Sequence, residues 1–174
     1  RQYPFPEEFN RQLTGRIADY HFAPTKLSKQ NLLSEKTEES SVLVTGNTVI
    51  DALLFGIDKV TTKGYIDDEI EMLSATVELS KKIVLVTGHR RENHGEGLLN
   101  ICTALKTIAG EHPETQIIYP VHLNPNVKGP VHELLGDTPN ILLVPPLAYP
   151  AFIWLMEKSY LIITDSGGIQ EEAP

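Results

Sequence analysis

Lys82–Asn93, with the sequence KIVLVTGHRREN, is the stretch that indicates how this chain folds. The apolar run Ile83–Val86 is typical of a strand that is buried on both faces of a sheet. The run breaks at Gly88 and is followed by a histidine and two arginines, residues 89–91. In open α/β sheets, ligands bind outside the carboxyl ends of the strands. A titratable ring and two guanidinium groups at such an end indicate an anion site, although a charged surface loop has the same composition.

Strand and helix patterns alternate from this stretch to the end of the chain. Strands are predicted at Ile83–Val86, Gln116–Tyr119, Ile141–Val144 and Tyr160–Thr164. Helices are predicted to follow them at Gly97–Gly110, around Val127–Leu135, at Ala151–Lys158 and from about Gly167. Four strand–helix units in succession predict an α/β fold with a doubly wound parallel sheet and right-handed crossovers. The third helix is apolar nearly all round, so we expect it to be well buried.

The first 80 residues have shorter patterns. Helices are predicted from Pro6 to about Ala18 and at Ser28–Ser34, the second with Ser28 as its cap, and strands at Asp19–Pro24 and Ser41–Thr45. Helical periodicity resumes at Asn47, and Asp67 or Asp68 is expected to cap a helix at Glu69–Leu79. We interpret residues 47–80 as the connection between two domains.

Composition excludes several classes of protein. The net charge is −8 over 174 residues, and no basic face of the kind that binds nucleic acid is visible. No apolar run approaches the roughly 18 residues of a membrane span. The single Cys102 excludes an internal disulfide framework, and its helical spacing with apolar residues predicts a buried, inert thiol. The histidines lack zinc-motif spacing, so no metal site is expected, and a cytoplasmic protein is the default expectation.

The strand ends are where the chemistry is expected. All four carboxyl ends of a parallel sheet share one edge, and the last end reads Asp165-Ser166-Gly167-Gly168 before a helix. A turn of this kind exposes backbone N–H groups to an anion and adds the positive end of the helix dipole, although serine before glycines also caps ordinary helices. Together with residues 89–91 on the same edge, it favours a nucleotide or phosphosugar site.

Two histidines and one of two adjacent glutamates are candidates for acid/base or ligand-binding roles at the site. His89 is the best acid or base, because its ordinary pKa lies near neutrality. His122 follows a strand and precedes an Asn-Pro turn, which fits either ligand contact or packing of the turn. Glu7 and Glu8 follow Pro6, where they either complement a helix dipole or offer one carboxylate to a cleft. These residues alone indicate no particular reaction.

Six segments together resemble a known family. They are PFPEEFNR, HFAPT, VTGNTVIDAL, TGHRREN, YPVHLNPNV and TDSGGIQEEAP. In this order they closely resemble the non-hydrolysing UDP-N-acetylglucosamine 2-epimerases of bacteria, over nearly the whole chain, with Phe55–Lys81 the least distinctive part. The resemblance implies a GT-B-like two-domain fold. In it, residues 1–46 are the C-terminal part of the first nucleotide-fold domain and residues 81–174 are most of a UDP-binding Rossmann-like domain.

The resemblance also implies an activity. Members interconvert UDP-N-acetylglucosamine and UDP-N-acetylmannosamine by eliminating UDP to give 2-acetamidoglucal and adding it back. They need no cofactor and work as homodimers, and bacterial members bind a second UDP-N-acetylglucosamine as an allosteric activator. The product enters surface polysaccharides.

Matching motifs carry the family's site onto this chain. Glu7 corresponds to a carboxylate that transfers a proton at the sugar, and His89 to a histidine that assists departure of the diphosphate. The UDP-binding positions are Ser166, Gly167, Gly168 and Glu172, of which the last holds the ribose hydroxyls. The positions near the substrate or the allosteric ligand are Arg90, Arg91 and His122. Residues 146–152 correspond to the uracil pocket.

The chain departs from the family pattern at both ends. Family segments that read Gly-Thr-Arg-Pro-Glu, His-Gly-Asp and Val-Glu-Ala-Gly-Leu-Arg would precede Arg1, and a further segment would follow Pro174. We therefore expect a fragment that is inactive, or nearly so, by itself. Three alternatives remain for the protein: a UDP-sugar glycosyltransferase of the same architecture, a hydrolysing epimerase, and a non-catalytic nucleotide-sugar binding module.

Overall fold

A computed structural model describes residues 4–88 and 95–173, which form two compact units, Arg1–Ala52 and Leu53–Pro174. The described part of the first unit contains two complete helices, the beginning of a third and a pair of parallel strands. Its elements are α1 (Glu7–Ile17), β1 (His21–Ala23), α2 (Lys26–Ser34), a 3-10 turn (Glu39–Ser41) and β2 (Val42–Val44). Both strands are shorter than the sequence predicts, because only three residues of each pair in register.

The cap of α2 differs from the prediction. Thr25, in an extended conformation, is the N-cap, and its hydroxyl accepts a hydrogen bond from the Ser28 N–H at 3.0 Å. Ser28 as the cap was therefore wrong, and the helix begins two residues earlier, at Lys26. Both residues carry a hydroxyl that can cap a helix. The chain leaves the extended conformation after Thr25, which decides between them.

The second unit is built on a four-stranded parallel sheet. Its strands are β3 (Lys82–Thr87), β4 (Thr115–Pro120), β5 (Ile141–Val144) and β6 (Leu161–Thr164), in the spatial order β5-β4-β3-β6. The helices between and after them are α5 (Glu96–Glu111), α6 (Pro125–Leu135), α7 (Tyr149–Lys158) and α8 (Gly167–Glu172). The predicted parallel α/β sheet is confirmed.

Alternate residues of β3 enter two different cores. Ile83 and Leu85 pack with α7 on one face of the sheet, whereas Val84 and Val86 pack with α5 and α6 on the other. This alternation follows from the two-residue period of a strand, and helices on both faces explain why the run is uniformly apolar. Cys102 of α5 is buried in the second core, where desolvation raises its pKa.

The segment predicted as a connection contains two helices, α3 (Thr48–Thr61) and α4 (Asp68–Thr76). Leu53 and Val60 of α3 and Leu73 of α4 lie in the same core as the buried helix α7. The Asp67 side chain caps α4 by accepting hydrogen bonds from two backbone N–H groups. This confirms Asp67, one of the two residues predicted as the cap. Much of this segment therefore stabilises the second unit, and the domain limits at residues 46 and 80 remain a prediction.

The strand order creates a switch point at the carboxyl ends of β3 and β6. From β3 the chain adds β4 and then β5 on one side, and it returns to place β6 on the other side of β3. The helices that follow β3 and β6 therefore pack on opposite faces of the sheet: α5 lies in one core, and Ile169 of α8 packs against the other. In open α/β sheets, ligands bind at such a switch point, outside the carboxyl ends of the strands. Across residues 4–88 and 95–173, no helix is long and apolar enough to cross a membrane.

Candidate functional site at the carboxyl edge of the sheet

The candidate site follows the carboxyl edge of the second unit's sheet. Read along the edge, the strand ends carry Pro145 after β5, Val121 after β4, Gly88 after β3 and Asp165 after β6. With strands about 4.8 Å apart, the edge is roughly 14 Å long. An elongated ligand that follows it would contact several strand ends at once.

Two threonines join the strands at the switch point. Thr87 and Thr164 are register partners in β3 and β6, and the Thr87 hydroxyl donates a hydrogen bond to Thr164 Oγ1 at 2.6 Å. Thr164 Oγ1 also accepts from the backbone N–H of Ser166 at 3.0 Å. The Asp165 N–H donates to the carbonyl of Thr87 at 3.2 Å. The turn before α8 is therefore fixed to β3 by side-chain and backbone bonds.

The Ser166-Gly167-Gly168 turn leads into α8 as the sequence predicts. Ser166 is the N-cap residue, but its side chain makes no capping hydrogen bond to the helix. Both glycines are exposed, and among the described residues a Cβ at Gly168 would meet only the Ser166 side chain, at 4.0 Å. The first N–H groups of a helix have no acceptor within it. These groups and the small side chains make the turn suitable for close approach of an anion.

Glu172 lies at the end of α8 and is half-buried. It is four residues beyond Gly168, which in a helix corresponds to a rise of about 6 Å. Residues four apart also lie on the same helix face. A carboxylate here can accept hydrogen bonds from hydroxyl groups of a ligand whose anionic part binds at the turn.

Tyr119 and Gly88 meet at the centre of the edge. The phenol hydroxyl of Tyr119, on β4, donates to the carbonyl oxygen of Gly88 at 2.9 Å. A Cβ at Gly88 would lie 3.3 Å from the Tyr119 oxygen and 4.0 Å from an Asp165 carboxylate oxygen. Burial, together with the nearby Cys102 and Asp165, raises the pKa of Tyr119 to about 12. The phenol is therefore a neutral donor at physiological pH.

His122 is exposed just beyond the end of β4. Its Nδ1 accepts a hydrogen bond from the Asn124 N–H at 3.1 Å, and Asn124 in turn caps α6 through the Asn126 N–H. Because Nδ1 acts as an acceptor, the neutral ring carries its proton on Nε2. His122 thus packs into the turn, and its contact with a ligand stays a prediction.

The loop between β5 and α7 is held by a residue that the sequence analysis did not select. The Glu69 carboxylate, on α4, accepts a hydrogen bond from the Ala148 N–H at 2.8 Å. Ala148 is the N-cap of α7 and has no side-chain cap of its own. The negative charge also complements the positive end of the α7 dipole. Glu69 therefore anchors the segment that the resemblance identifies as the uracil pocket.

In the first unit, the two adjacent glutamates of α1 have different environments. The Glu8 carboxylate pairs with Arg11 at 2.9 Å, and Arg11 also pairs with Glu35 at 2.8 Å, which raises the pKa of Arg11. Glu7 is exposed, and no hydrogen bond or ion pair joins its carboxylate to the rest of residues 4–88 and 95–173. Glu8 thus belongs to a network of ion pairs, and the role of Glu7 stays a prediction.

His89, Arg90 and Arg91 lie outside the described residues. For the described part of the chain, no group of three metal-ligating side chains is close enough to hold an ion. Sequence reasoning missed Thr87 and Thr164, whose signal is that each ends an apolar strand with the same side chain. It also missed Glu69 and the role of Tyr119, whose contacts depend on the packing of distant elements.

Comparison with known proteins identifies the family. The UDP-N-acetylglucosamine 2-epimerase family matches residues 1–174. The chain is 53% identical over 171 residues to UDP-N-acetylglucosamine 2-epimerase of Escherichia coli K12, which covers 98% of this chain and 46% of that protein. It is 54% identical to the Yersinia pestis enzyme, with the same coverage. The chain thus spans about half the length of the curated relatives it matches.

Solved structures agree in fold. The chain superimposes with a TM-score of 0.87 on UDP-GlcNAc 2-epimerase from Neisseria meningitidis bound to UDP-GlcNAc, at 46% identity, covering 100% of this chain and 47% of that one. The chain superimposes on S. aureus MnaA with UDP with a TM-score of 0.83, at 43% identity, covering 100% of this chain and 45% of that one. These neighbours have GT-B-like folds, which confirms the expected fold class. The chain therefore belongs to the UDP-N-acetylglucosamine 2-epimerase family.

Proposed function

We propose that this protein interconverts UDP-N-acetylglucosamine and UDP-N-acetylmannosamine by elimination of UDP and its re-addition. The observation that carries the proposal is the family match over the whole chain, at 53% identity to a named epimerase. The neighbour from N. meningitidis, which binds UDP-GlcNAc, and the one from S. aureus, which binds UDP, support the ligand class. The switch point between β3 and β6 also supports it, because open α/β sheets bind nucleotides at such points.

UDP would bind along the carboxyl edge of the second unit. The turn Ser166–Gly168 holds the phosphates through backbone N–H groups and the α8 dipole, and Glu172 accepts hydrogen bonds from the ribose hydroxyls. Residues 146–152 surround the uracil, with Glu69 fixing the start of that segment. The Thr87–Thr164 pair supports this assignment because it holds the phosphate turn in one conformation before the ligand arrives. The diphosphate is then a better leaving group, since fixed dipoles stabilise the charge that develops on it.

Two acid/base groups complete the reaction. The C2 proton of a sugar is weakly acidic, so cleavage of the anomeric bond must develop oxocarbenium character early. His89 assists departure of the diphosphate, and Glu7 transfers a proton at the sugar. The pairing of Glu8 with Arg11 supports the choice of Glu7, because it leaves only one of the two carboxylates uncommitted. Arg90, Arg91 and His122 contact the substrate or a second sugar nucleotide.

The family match also supports proposals about regulation and cellular role. We propose a cytoplasmic homodimer that binds a second UDP-N-acetylglucosamine as an activator and that supplies a sugar nucleotide for surface polysaccharides. Size-exclusion chromatography with light scattering tests the dimer. Activation by substrate would make the initial rate rise more steeply than first order at low UDP-N-acetylglucosamine.

Product analysis tests the proposed reaction. The intact gene product is incubated with UDP-N-acetylglucosamine, and the nucleotides are separated by anion-exchange chromatography. A stable mixture of the two UDP-sugars with no net release of UDP is expected. Stoichiometric UDP with free N-acetylmannosamine would identify a hydrolysing enzyme instead, and unchanged substrate with a folded, UDP-binding protein would contradict epimerase activity.

A further inference from the structure

Glu69 lies in the first turn of α4 but bonds to the start of a different helix. Its carboxylate accepts a hydrogen bond from the Ala148 N–H at 2.8 Å. Ala148 is the N-cap residue of α7, and its methyl side chain makes no capping bond. In a capping box, a glutamate or glutamine at the third helical position reaches back to this same N–H. That position in α7 is Ala151, so Glu69 completes the cap from α4.

The carboxylate also brings a negative charge to the N-terminus of α7. This helix has ten residues, and the N–H groups of its first turn, together with its dipole, attract anions. Glu69 already supplies an anion there. Its side chain is half-buried, so solvent screens the charge only in part. A second anion that approached this helix end would therefore be repelled.

The two ends of the carboxyl edge differ in what occupies the helix N-terminus. The strand order is β5-β4-β3-β6, so the loop 145–148 before α7 lies at one end and the turn before α8 lies at the other. At the α7 end the N-terminus carries the Glu69 carboxylate, whereas at the α8 end the Ser166 side chain makes no capping bond. An elongated ligand with one anionic part would be oriented by this difference, with its uncharged part at the α7 end.

We propose that Glu69 is a specificity-determining residue, whose negative charge excludes other anions from the N-terminus of α7, so that a nucleotide binds with its diphosphate at the opposite end of the edge. The inference rests on the proposed function, in which residues 146–152 surround the uracil. The competing explanation is that Glu69 only stabilises the start of α7. Glutamine separates the two explanations, because its amide oxygen can accept the same hydrogen bond but carries no charge.

Inorganic phosphate tests whether the charge excludes anions, with Glu69→Gln in the intact gene product. The probe is the backbone N–H of Tyr149, the first residue of α7, which ¹⁵N-tyrosine NMR detects and which is assigned by its loss in Tyr149→Phe. We expect phosphate to shift this resonance saturably in Glu69→Gln, at a concentration at least about fivefold lower than in wild type, because a nearby like charge is gone. The matched control is Glu71→Gln, which removes the same charge from an exposed position in the same turn of α4 and should respond like wild type.

Two results of the phosphate titration would overturn the proposal. Equal responses of wild type and Glu69→Gln would show that the hydrogen bond matters and the charge does not. A response of Glu71→Gln as strong as that of Glu69→Gln would show that the effect comes from net charge and not from the carboxylate at the Ala148 N–H. Urea unfolding of each variant confirms that the compared proteins are folded.

Uridine binding tests whether the α7 end receives the base. Uridine has no phosphate groups, so phosphate at the N-terminus of α7 should compete with it in Glu69→Gln. With phosphate at twice its dissociation constant, and sodium chloride of equal ionic strength as the reference, the uridine Kd of Glu69→Gln should rise about threefold, while that of wild type stays unchanged. If Glu69→Gln binds uridine without such competition, the proposal is overturned.

The two measurements separate failure of this inference from failure of the proposed function. If wild type binds neither uridine nor UDP, the proposed function fails, and the phosphate titration still decides whether Glu69 excludes anions from α7. If wild type binds UDP but Glu69→Gln responds to phosphate as wild type does, the proposed function stands and the role of Glu69 in specificity is overturned.

Discussion

Replacing Thr164 with valine removes the oxygen that joins the phosphate turn to β3. The substitution keeps the shape of the side chain, but it deletes the acceptor for both the Thr87 hydroxyl and the Ser166 N–H. Each net hydrogen bond is worth about 0.5–1.5 kcal/mol, and a buried donor left without a partner costs about 1–3 kcal/mol. Because Thr87 is buried and Ser166 half-buried, we expect the free energy of unfolding to fall by about 2 kcal/mol.

The same change should weaken the binding of UDP. A turn that is no longer held must be ordered when the diphosphate binds, and a cost of about 1.4 kcal/mol raises Kd about tenfold. Thr87→Val loses only the hydroxyl donor and leaves the Ser166 bond, so its effects should be about half as large in free energy. Thr107→Val is the matched control, since within the described part of the chain that exposed hydroxyl bonds only to the carbonyl of Thr103 in its own helix.

Isothermal titration calorimetry of the intact gene product with UDP measures these affinities, and urea unfolding gives the stabilities. We expect the highest Kd for Thr164→Val, a lower Kd for Thr87→Val, and the lowest, equal values for the control and wild type. If Thr164→Val lost stability but bound UDP as tightly as wild type, the reasoning that the threonine pair preorganises the phosphate turn would be refuted.

Three further predictions concern single side chains. Glu7→Gln should lower kcat at least about 100-fold at unchanged UDP affinity, which is the scale of general acid–base catalysis. Glu8→Gln should keep its kcat, and urea unfolding should show only the small loss of stability expected when a surface ion pair is weakened. The pKa of Tyr119 is about 12 in the folded protein and about 10 when unfolded, so its stabilising contribution is complete below pH 10 and is lost as the pH rises towards 12. Wild type should therefore lose up to roughly 2–3 kcal/mol more stability than Tyr119→Phe over that range, in urea titrations at each pH, and equal losses would contradict this. Cys102, whose pKa is raised by burial, should react with a thiol reagent only at the rate of unfolding, and rapid labelling of the folded protein would show an accessible thiol.

The local pattern predicted the elements around the site well. The run Ile83–Val86 is buried as expected, and α7, which includes Trp154 and Leu155, is one of the most buried helices. These predictions succeeded because hydrophobic periodicity reports directly on which faces are covered. The prediction of Ser28 as the cap was wrong because two hydroxyl residues three positions apart can fill the same role. Only the extended backbone conformation at Thr25 decides which of them caps the helix.

The contacts that organise the site could not be predicted in the same way. Thr87 and Thr164 are 77 residues apart, and their bond requires β6 to lie beside β3. Alternating strands and helices predict a parallel sheet but not the order of its strands, which depends on long-range packing. The bonds from Tyr119 to Gly88 and from Ala148 to Glu69 likewise join elements that are distant in sequence. The sequence thus located the edge of the sheet that carries the candidate site, whereas the structure identified the hydrogen bonds that stabilise it.

Exchange of the C2 proton tests the central claim most directly. The intact gene product is incubated with UDP-N-acetylglucosamine in deuterated water, and the sugar is followed by proton NMR. Elimination and re-addition predict loss of the H2 signal of the substrate together with the resonances of UDP-N-acetylmannosamine deuterated at C2. Formation of UDP-N-acetylmannosamine with full retention of the C2 proton, or an unchanged spectrum from a folded protein that binds UDP, would contradict the account.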